Sequence, residues 1–306
     1  AVILLLSILL TAAFGQQPDK SAAKPPPDIA DFPYGPHERH VLDLWKAKSP
    51  QPTPLVVYIH GGGFRSGSKE RLSPALLERL LMAGVSVMAI NYRLSPEVIV
   101  PAHYMDCARA IQFARSQAKA WNIDPTRVGS TGESAGAGTS LWIGFHDDMA
   151  EPKSPDLVLR QSSRLTCMAV TGAQSSYDPR VIRSWVGEST ARHSALDGFF
   201  DINDETRNTP EAFHRYELGS AINYLTKDDP PVYAYYSEAR EIPPNAKAGQ
   251  GIHNINFGLR LKEKMDALGI ECIIRHRDQG ANADREMAAF FIRHLFDRSG
   301  KTASTN

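Results

Sequence analysis

Gly132-Glu133-Ser134-Ala135-Gly136 places a serine between two glycines, directly after the run Arg127-Val128-Gly129-Ser130-Thr131 and before a helix-forming segment. A serine hydroxyl attacks a carbonyl carbon only when it is lifted out of the backbone pattern and given a base and a place for the developing oxyanion. A sharp strand-to-helix turn does the lifting, and glycines flank it because strand and helix meet there without room for Cβ atoms. About seventy residues upstream, His60-Gly61-Gly62-Gly63-Phe64 follows the apolar run Pro54 to Ile59. Such a glycine run turns backbone N–H groups toward one point, so Gly62 and Gly63, with the N–H of Ala135, are the expected oxyanion donors. Either motif alone is weak; the two in this order are specific.

These motifs, with Asn91-Tyr92-Arg93-Leu94-Ser95-Pro96-Glu97 between them and Asn122 to Val128 leading into the turn, resemble the α/β-hydrolase superfamily. Within it, the chain is similar to the hormone-sensitive-lipase-like and bacterial feruloyl-esterase-like carboxylesterases over about residues 33 to 298. The resemblance implies a mostly parallel central sheet with helices on both faces and a small helical cap. It also implies a serine carboxylesterase that acts on small acyl esters, acyl groups on plant polysaccharide among them, without cofactor or metal.

The remaining catalytic positions depart from the family pattern. In the resembling esterases, a strand like Pro231 to Tyr235 is followed by His-Gly-x-x-Asp, whose Asp orients the catalytic histidine. Here Arg240 falls on that acid position, flanked by Glu238 and Glu241, either of which supplies a carboxylate if the loop is shifted; the alternative is that both are solvated charges. Asp228 and Asp229 precede the strand and are read as structural. Asn282 stands near the usual histidine, and an asparagine cannot shuttle the serine proton. His276 lies on a strand, and His294 lies inside the closing helix. His253, in Gly251-Ile252-His253-Asn254, sits in an enlarged loop that emerges at the same sheet edge as Ser134. A triad is defined by geometry and not by chain order, so His253 is the provisional base, against a reading in which it caps the next helix. His60 is expected to shape the glycine loop, Glu133 to hold the turn from beneath, and His103, His193 and His214 to be packing or surface residues, with contact to substrate as the alternative.

Arg240 and Asn282 support a rival reading, a weakened or inactive hydrolase-fold protein that binds a ligand in the old pocket. A peptidase of the prolyl-oligopeptidase type fits less well, because such enzymes do not usually carry this glycine-rich loop.

The elements that must position these residues alternate strand and helix, the pattern of a covered parallel sheet. Strands are expected at 40–45, 55–59, 85–91, before Ser134, at 165–171, 231–236 and 270–275, with helices at 73–83, 102–121, after Ser134, and at 256–268 and 285–296. Between about 174 and 228 lies the cap insertion, whose Trp185, Phe199, Phe200, Phe213 and Tyr216 either line an acyl or aryl pocket or pack the cap onto the sheet. With 306 residues, 42% of them apolar, the chain suffices for one large domain, read as 32–300 with a short tail at 301–306. A formal net charge of zero and no basic block leave no case for a nucleic-acid partner.

Ala1 to Gly15 form an apolar run too short for a comfortable span and ending in Ala13-Phe14-Gly15; this reads as a secretory signal peptide, with an uncleaved anchor as the alternative. A secreted or periplasmic location and no stable membrane insertion after cleavage follow as expectations. Residues 16–31, rich in Pro, Ala and Lys, read as a flexible tether. Cys107, Cys167 and Cys272 each lie in an apolar run, lack metal-ligand spacing, and read as small buried hydrophobes.

Overall fold

A computed structural model of the chain describes residues 23–297 except Pro244. The signal-peptide reading of 1–15, the first part of the tether and the 301–306 tail lie outside the described residues.

In chain order the elements are β1 (Ile29–Pro33), β2 (Val41–Trp45), β3 (Thr53–Ile59), α1 (Pro74–Met82), β4 (Ser86–Ile90), α2 (Ala102–Ser116), α3 (Ala118–Trp121), β5 (Ile123–Glu133), α4 (Ala135–Phe145) and β6 (Met168–Thr171). After the insertion helices α5 (Pro179–Trp185), α6 (Glu188–Ala191), α7 (Ser194–Phe200) and α8 (Pro210–Gly219) come β7 (Val232–Tyr236), α9 (Asn256–Ala267), β8 (Cys272–His276) and α10 (Ala283–Phe296). The strands form one sheet in the order β1-β2-β4-β3-β5-β6-β7-β8. Only the β1–β2 and β2–β4 pairings are antiparallel. This is the expected α/β-hydrolase architecture.

β3 is buried at every position, as a strand covered on both faces must be. On one face, Leu55, Val57 and Ile59 join a core shared with α2, α4 and the insertion; on the other, Val56 and Tyr58 pack with α1 and α10. The parallel run β3-β5-β6-β7 therefore delivers four carboxyl ends to one edge, at His60, Ser134, Gly172 and Ser237. In open α/β sheets that edge is where sites are built.

The tether reading needs correction at its end. The backbone from Ile29 pairs with β2, the carbonyl of Pro25 accepts from Trp45 Nε1 at 2.8 Å, and Asp28 accepts the N–H of Lys46 at 2.7 Å. Its side chains are mostly exposed, with Ile29 and Phe32 alone packing against the core, Phe32 on Phe113 and Trp121, which leaves too short an apolar pattern to read.

Candidate active site

β5 ends at Glu133, and Ser134 turns the chain into α4 with φ 52° and ψ −118°, a strained conformation for a residue with a side chain. Two features hold the strain. The N–H of Ser134 donates to the carbonyl of Thr171 at 3.0 Å, and a Cβ on Gly136 would lie 2.0 Å from the carbonyl oxygen of Ile59, so only glycine lets α4 seat against β3. Beneath the turn, Glu133 Oε1 accepts from the N–H of Gly61 at 3.0 Å and from the Tyr58 hydroxyl at 2.9 Å, which ties the glycine loop to the elbow. Burial raises the Glu133 carboxyl above its ordinary value, opposed by these same hydrogen bonds.

Ser134 Oγ lies 2.8 Å from His253 Nε2, and His253 Nδ1 lies 2.6 Å from Glu238 Oε1. With Nδ1–H donating to the carboxylate, Nε2 is left as an acceptor for the serine proton. The second oxygen, Glu238 Oε2, accepts the backbone N–H of His253 at 3.2 Å. Both partners come from the β7–α9 loop, and the loop is clamped from several sides. The amide of buried Asn254 donates to the carbonyls of Ala239 and Arg240, at 3.2 and 2.9 Å. His276, fully buried at the end of β8, donates from Nε2 to the carbonyl of Glu238 at 2.7 Å. Gly172, at φ 57°, lies beneath the imidazole: a Cβ there would come within 3.1 Å of the His253 ring. These supports escaped the sequence reading because they act on backbone carbonyls or by leaving space. The only signal was the Asn254 adjacent to His253.

The glycine loop runs through positive φ at Gly62 (117°), Gly63 (61°) and Phe64 (60°). His60 beneath it is buried, its ring Nδ1 2.8 Å from the carbonyl oxygen of Gly61, and its own carbonyl accepts from the Tyr92 hydroxyl at 2.8 Å. Burial lowers the His60 pKa to about 4, so the ring stays neutral. A cavity of about 130 Å³ opens over Ser134, lined by Gly63, Phe64, Ala135, Tyr177, Phe199 and Ile252 among others. Gly63 and Ala135 thus face the same space as the serine; Gly62 is set back from it. A wider open groove of about 580 Å³ on the flank of the insertion, with Asp178, Arg180, Trp185, His214 and Tyr224, contains none of Ser134, His253 and Glu238.

The other residues singled out from sequence lie elsewhere. Glu241, the second acid candidate, is exposed, while the His253 ring is engaged by Glu238. Arg240 Nε is 3.8 Å from Asp278 Oδ2. Asn282 caps α10, its Oδ1 accepting the N–H of Arg285 at 2.9 Å. His294 pairs with Glu271 at 3.0 Å, and His103 is buried with Nε2 3.1 Å from Ser95 Oγ. Asp228 pairs with Arg164, and Asp229 accepts the N–H of Thr226. Of the five cap aromatics singled out from sequence, Phe199 lines the cavity; Phe200 and Tyr216 are core residues, Trp185 lies on the flank groove, and Phe213 packs under the Arg180 guanidinium, while Tyr177, not singled out, also lines the cavity. His193, read as a packing or surface residue, lines the cavity. All three cysteines are free and buried. Among the described residues no cluster of His, Cys, Asp or Glu has the makings of a metal site, and no helix is long and apolar enough to cross a membrane.

Comparison with known proteins agrees with this architecture. Esterase LipC of Mycobacterium tuberculosis is 27% identical over 203 residues, which cover 65% of this chain and 47% of LipC. Esterase LipQ of the same organism is 26% identical over 223 residues, covering 72% of this chain and 50% of LipQ. The chain therefore spans about half the length of these curated relatives. A solved structure described as a truncated form of carbohydrate esterase from gut microbiota superposes with a TM-score of 0.66 at 20% identity, over 88% of this chain and 96% of that one. The BD-FAE family model matches residues 42–250, from β2 through both glycine motifs to the loop that carries Glu238. A match over more than half the chain, on this fold, places it: the chain belongs to the BD-FAE family of α/β-hydrolases.

Proposed function

We propose that this chain is a serine carboxylesterase acting on short acyl esters, with Ser134 as nucleophile, His253 as general base and Glu238 as the acid that orients it. The observation that carries the proposal is the continuous path from Ser134 Oγ to His253 Nε2 at 2.8 Å and from His253 Nδ1 to Glu238 at 2.6 Å. As Oγ attacks the ester carbonyl, its proton passes to Nε2. The carbonyl oxygen becomes an oxyanion held by the N–H groups of Gly63 and Ala135, with Gly62 shaping the loop or donating as well. Collapse of the tetrahedral intermediate expels the alcohol, which takes the proton from Nε2. Water, deprotonated by the same nitrogen, then attacks the acyl-enzyme and releases the carboxylic acid. Glu238 fixes the tautomer and stabilises the imidazolium.

Support for a carbohydrate ester as substrate comes from the fold shared with the carbohydrate esterase and from a small cavity suited to a short acyl group. The reading of the Ala1–Gly15 run as an export signal fits an extracellular polysaccharide substrate. The reading of the chain as a binding protein draws on Arg240 and Asn282, and neither touches Ser134, His253 or Glu238.

Hydrolysis of p-nitrophenyl acetate and longer homologues tests the proposal, with Ser134→Ala and His253→Ala run beside the parent. The expected result is turnover lost in both variants. No turnover in the parent above the Ser134→Ala background, at any acyl length, would sink it.

A further inference from the structure

The polar side chains around the cavity over Ser134 can be taken one by one. Ser134 and His253 are engaged with each other and with Glu238. Gln174 donates from Nε2 to the carbonyl of Ile252, and its Oε1 accepts from the Tyr177 hydroxyl at 3.0 Å, so both ends of that amide and the phenol are committed. His193 remains. It precedes α7 and caps it, its Nδ1 accepting the N–H of Ala195 at 3.1 Å. A ring whose Nδ1 accepts carries its proton on Nε2 when neutral, and among the described residues nothing accepts that proton. Partial burial, then the charges of Arg65 and His253, lower the pKa of the ring and favour this neutral form.

The placement of His193 selects the part of a substrate that it meets. Phe64, Tyr177, Leu196, Phe199 and Ile252 make the rest of the cavity wall apolar, suited to an acyl chain. His193 is only half-buried and lies beside exposed Arg65, whose Nη1 is 3.4 Å from the carbonyl of Ser194; Ala195 approaches Gly63 of the glycine loop. With the acyl chain against the apolar wall, the alcohol portion of an ester is left to the open rim that carries His193.

We propose that His193 is a specificity-determining residue, whose Nε2–H donates to an oxygen on the alcohol part of a sugar or polyol ester, the hydroxyl neighbouring the esterified carbon. This rests on the esterase reading above. One neutral hydrogen bond of this kind is worth about three- to tenfold in kcat/KM.

The test is a cycle that removes the donor from the protein and the acceptor from the substrate. His193→Asp keeps a side chain that caps α7 but, when ionised, offers no donor. The substrates are a mono-acetylated methyl xyloside and its counterpart lacking the neighbouring hydroxyl. The parent is expected to prefer the hydroxylated ester about three- to tenfold, chiefly through KM, and His193→Asp to lose that preference. A preference that persists in His193→Asp, or is absent from the parent, overturns the proposal. If the parent cleaves p-nitrophenyl acetate but neither xyloside, the sugar-ester substrate and this proposal fall; if it cleaves none of the three, the esterase reading falls instead. The same cycle is then read as calorimetric affinities of Ser134→Ala chains for the two ligands, with the same two outcomes deciding the role of His193.

Discussion

His276 Nε2 donates to the main-chain carbonyl of Glu238 at 2.7 Å, so a buried imidazole at the end of β8 holds the residue that orients His253. The backbone N–H of Asp278, 3.3 Å away, is directed at its Nδ1, which fixes the ring from the other side. His276→Ala removes the donor and leaves that carbonyl to shift. Misplacing a catalytic group by about 1 Å costs about 10²-fold. The expected outcome is a loss of that order in kcat on p-nitrophenyl acetate with KM little changed. His276→Gln, which restores an N–H donor, should recover part of it.

Glu238 and Glu241 are three residues apart, and removing each charge in turn separates their roles. Glu238→Gln loses the carboxylate that fixes the His253 tautomer, for which a fall in kcat of roughly 10³- to 10⁴-fold is expected. Glu241→Gln, at an exposed position, should leave kcat/KM at the parent value. Steady-state kinetics of the two variants decide the point, and the reverse pattern would move the acid to Glu241.

Gly172 has a positive φ of 57° and lies under the His253 ring. Gly172→Ala forces a side chain into the left-handed region, at about 1 to 2 kcal/mol, and brings a methyl within 3.1 Å of the imidazole. Thermal unfolding should fall by about 2 to 4 °C for each kcal/mol lost. Acylation should slow as well, because the ring must tilt away from Ser134. A single-turnover burst separates this second effect from the first.

His60 and His103 are both buried, and burial lowers each to about 4 from an ordinary 6.5. Above 6.5 both rings are neutral in the folded and unfolded chains alike. As the pH falls below 6.5, the unfolded chain takes up protons that the folded one refuses, so stability declines until the folded rings protonate near 4. The loss is of order 3 kcal/mol per ring. Melting temperature against pH should therefore drop between about 6.5 and 4, and His103→Gln, which keeps an amide near Ser95, should make that drop shallower.

How much of this was legible in the sequence depended on whether a feature is local. The elbow and the glycine loop are read from a few adjacent residues because the backbone there excludes Cβ atoms, and the parallel strands are read because burial on both faces demands continuous apolar runs such as Leu55 to Ile59. His253 was reachable only through topology, as a histidine on a loop at the right sheet edge. Glu238 and Glu241 stayed equivalent, since one loop holds both and its path is decided by His276, from outside it, and by Asn254, at its far end, pulling on its carbonyls. β1 was missed because its five residues are mostly exposed and carry only two apolar contacts, by Ile29 and Phe32, and the place of His193 at the cavity because it depends on how the insertion folds back over the glycine loop.

Glu238 and His253 belong to one stretch of sixteen residues, while Ser134 belongs to the rigid strand-to-helix turn. The acid and the base thus travel together, as a cartridge docked onto a fixed nucleophile. A displacement of that stretch as a whole is felt catalytically at the joint between His253 and Ser134, while the bond between acid and base moves as one piece; His276 and Gln174, which grip the carbonyls of Glu238 and Ile252, resist such a displacement. The same arrangement lets the whole proton-handling half of the machinery be gained or lost by a single loop exchange, with the sheet and the elbow left as they are.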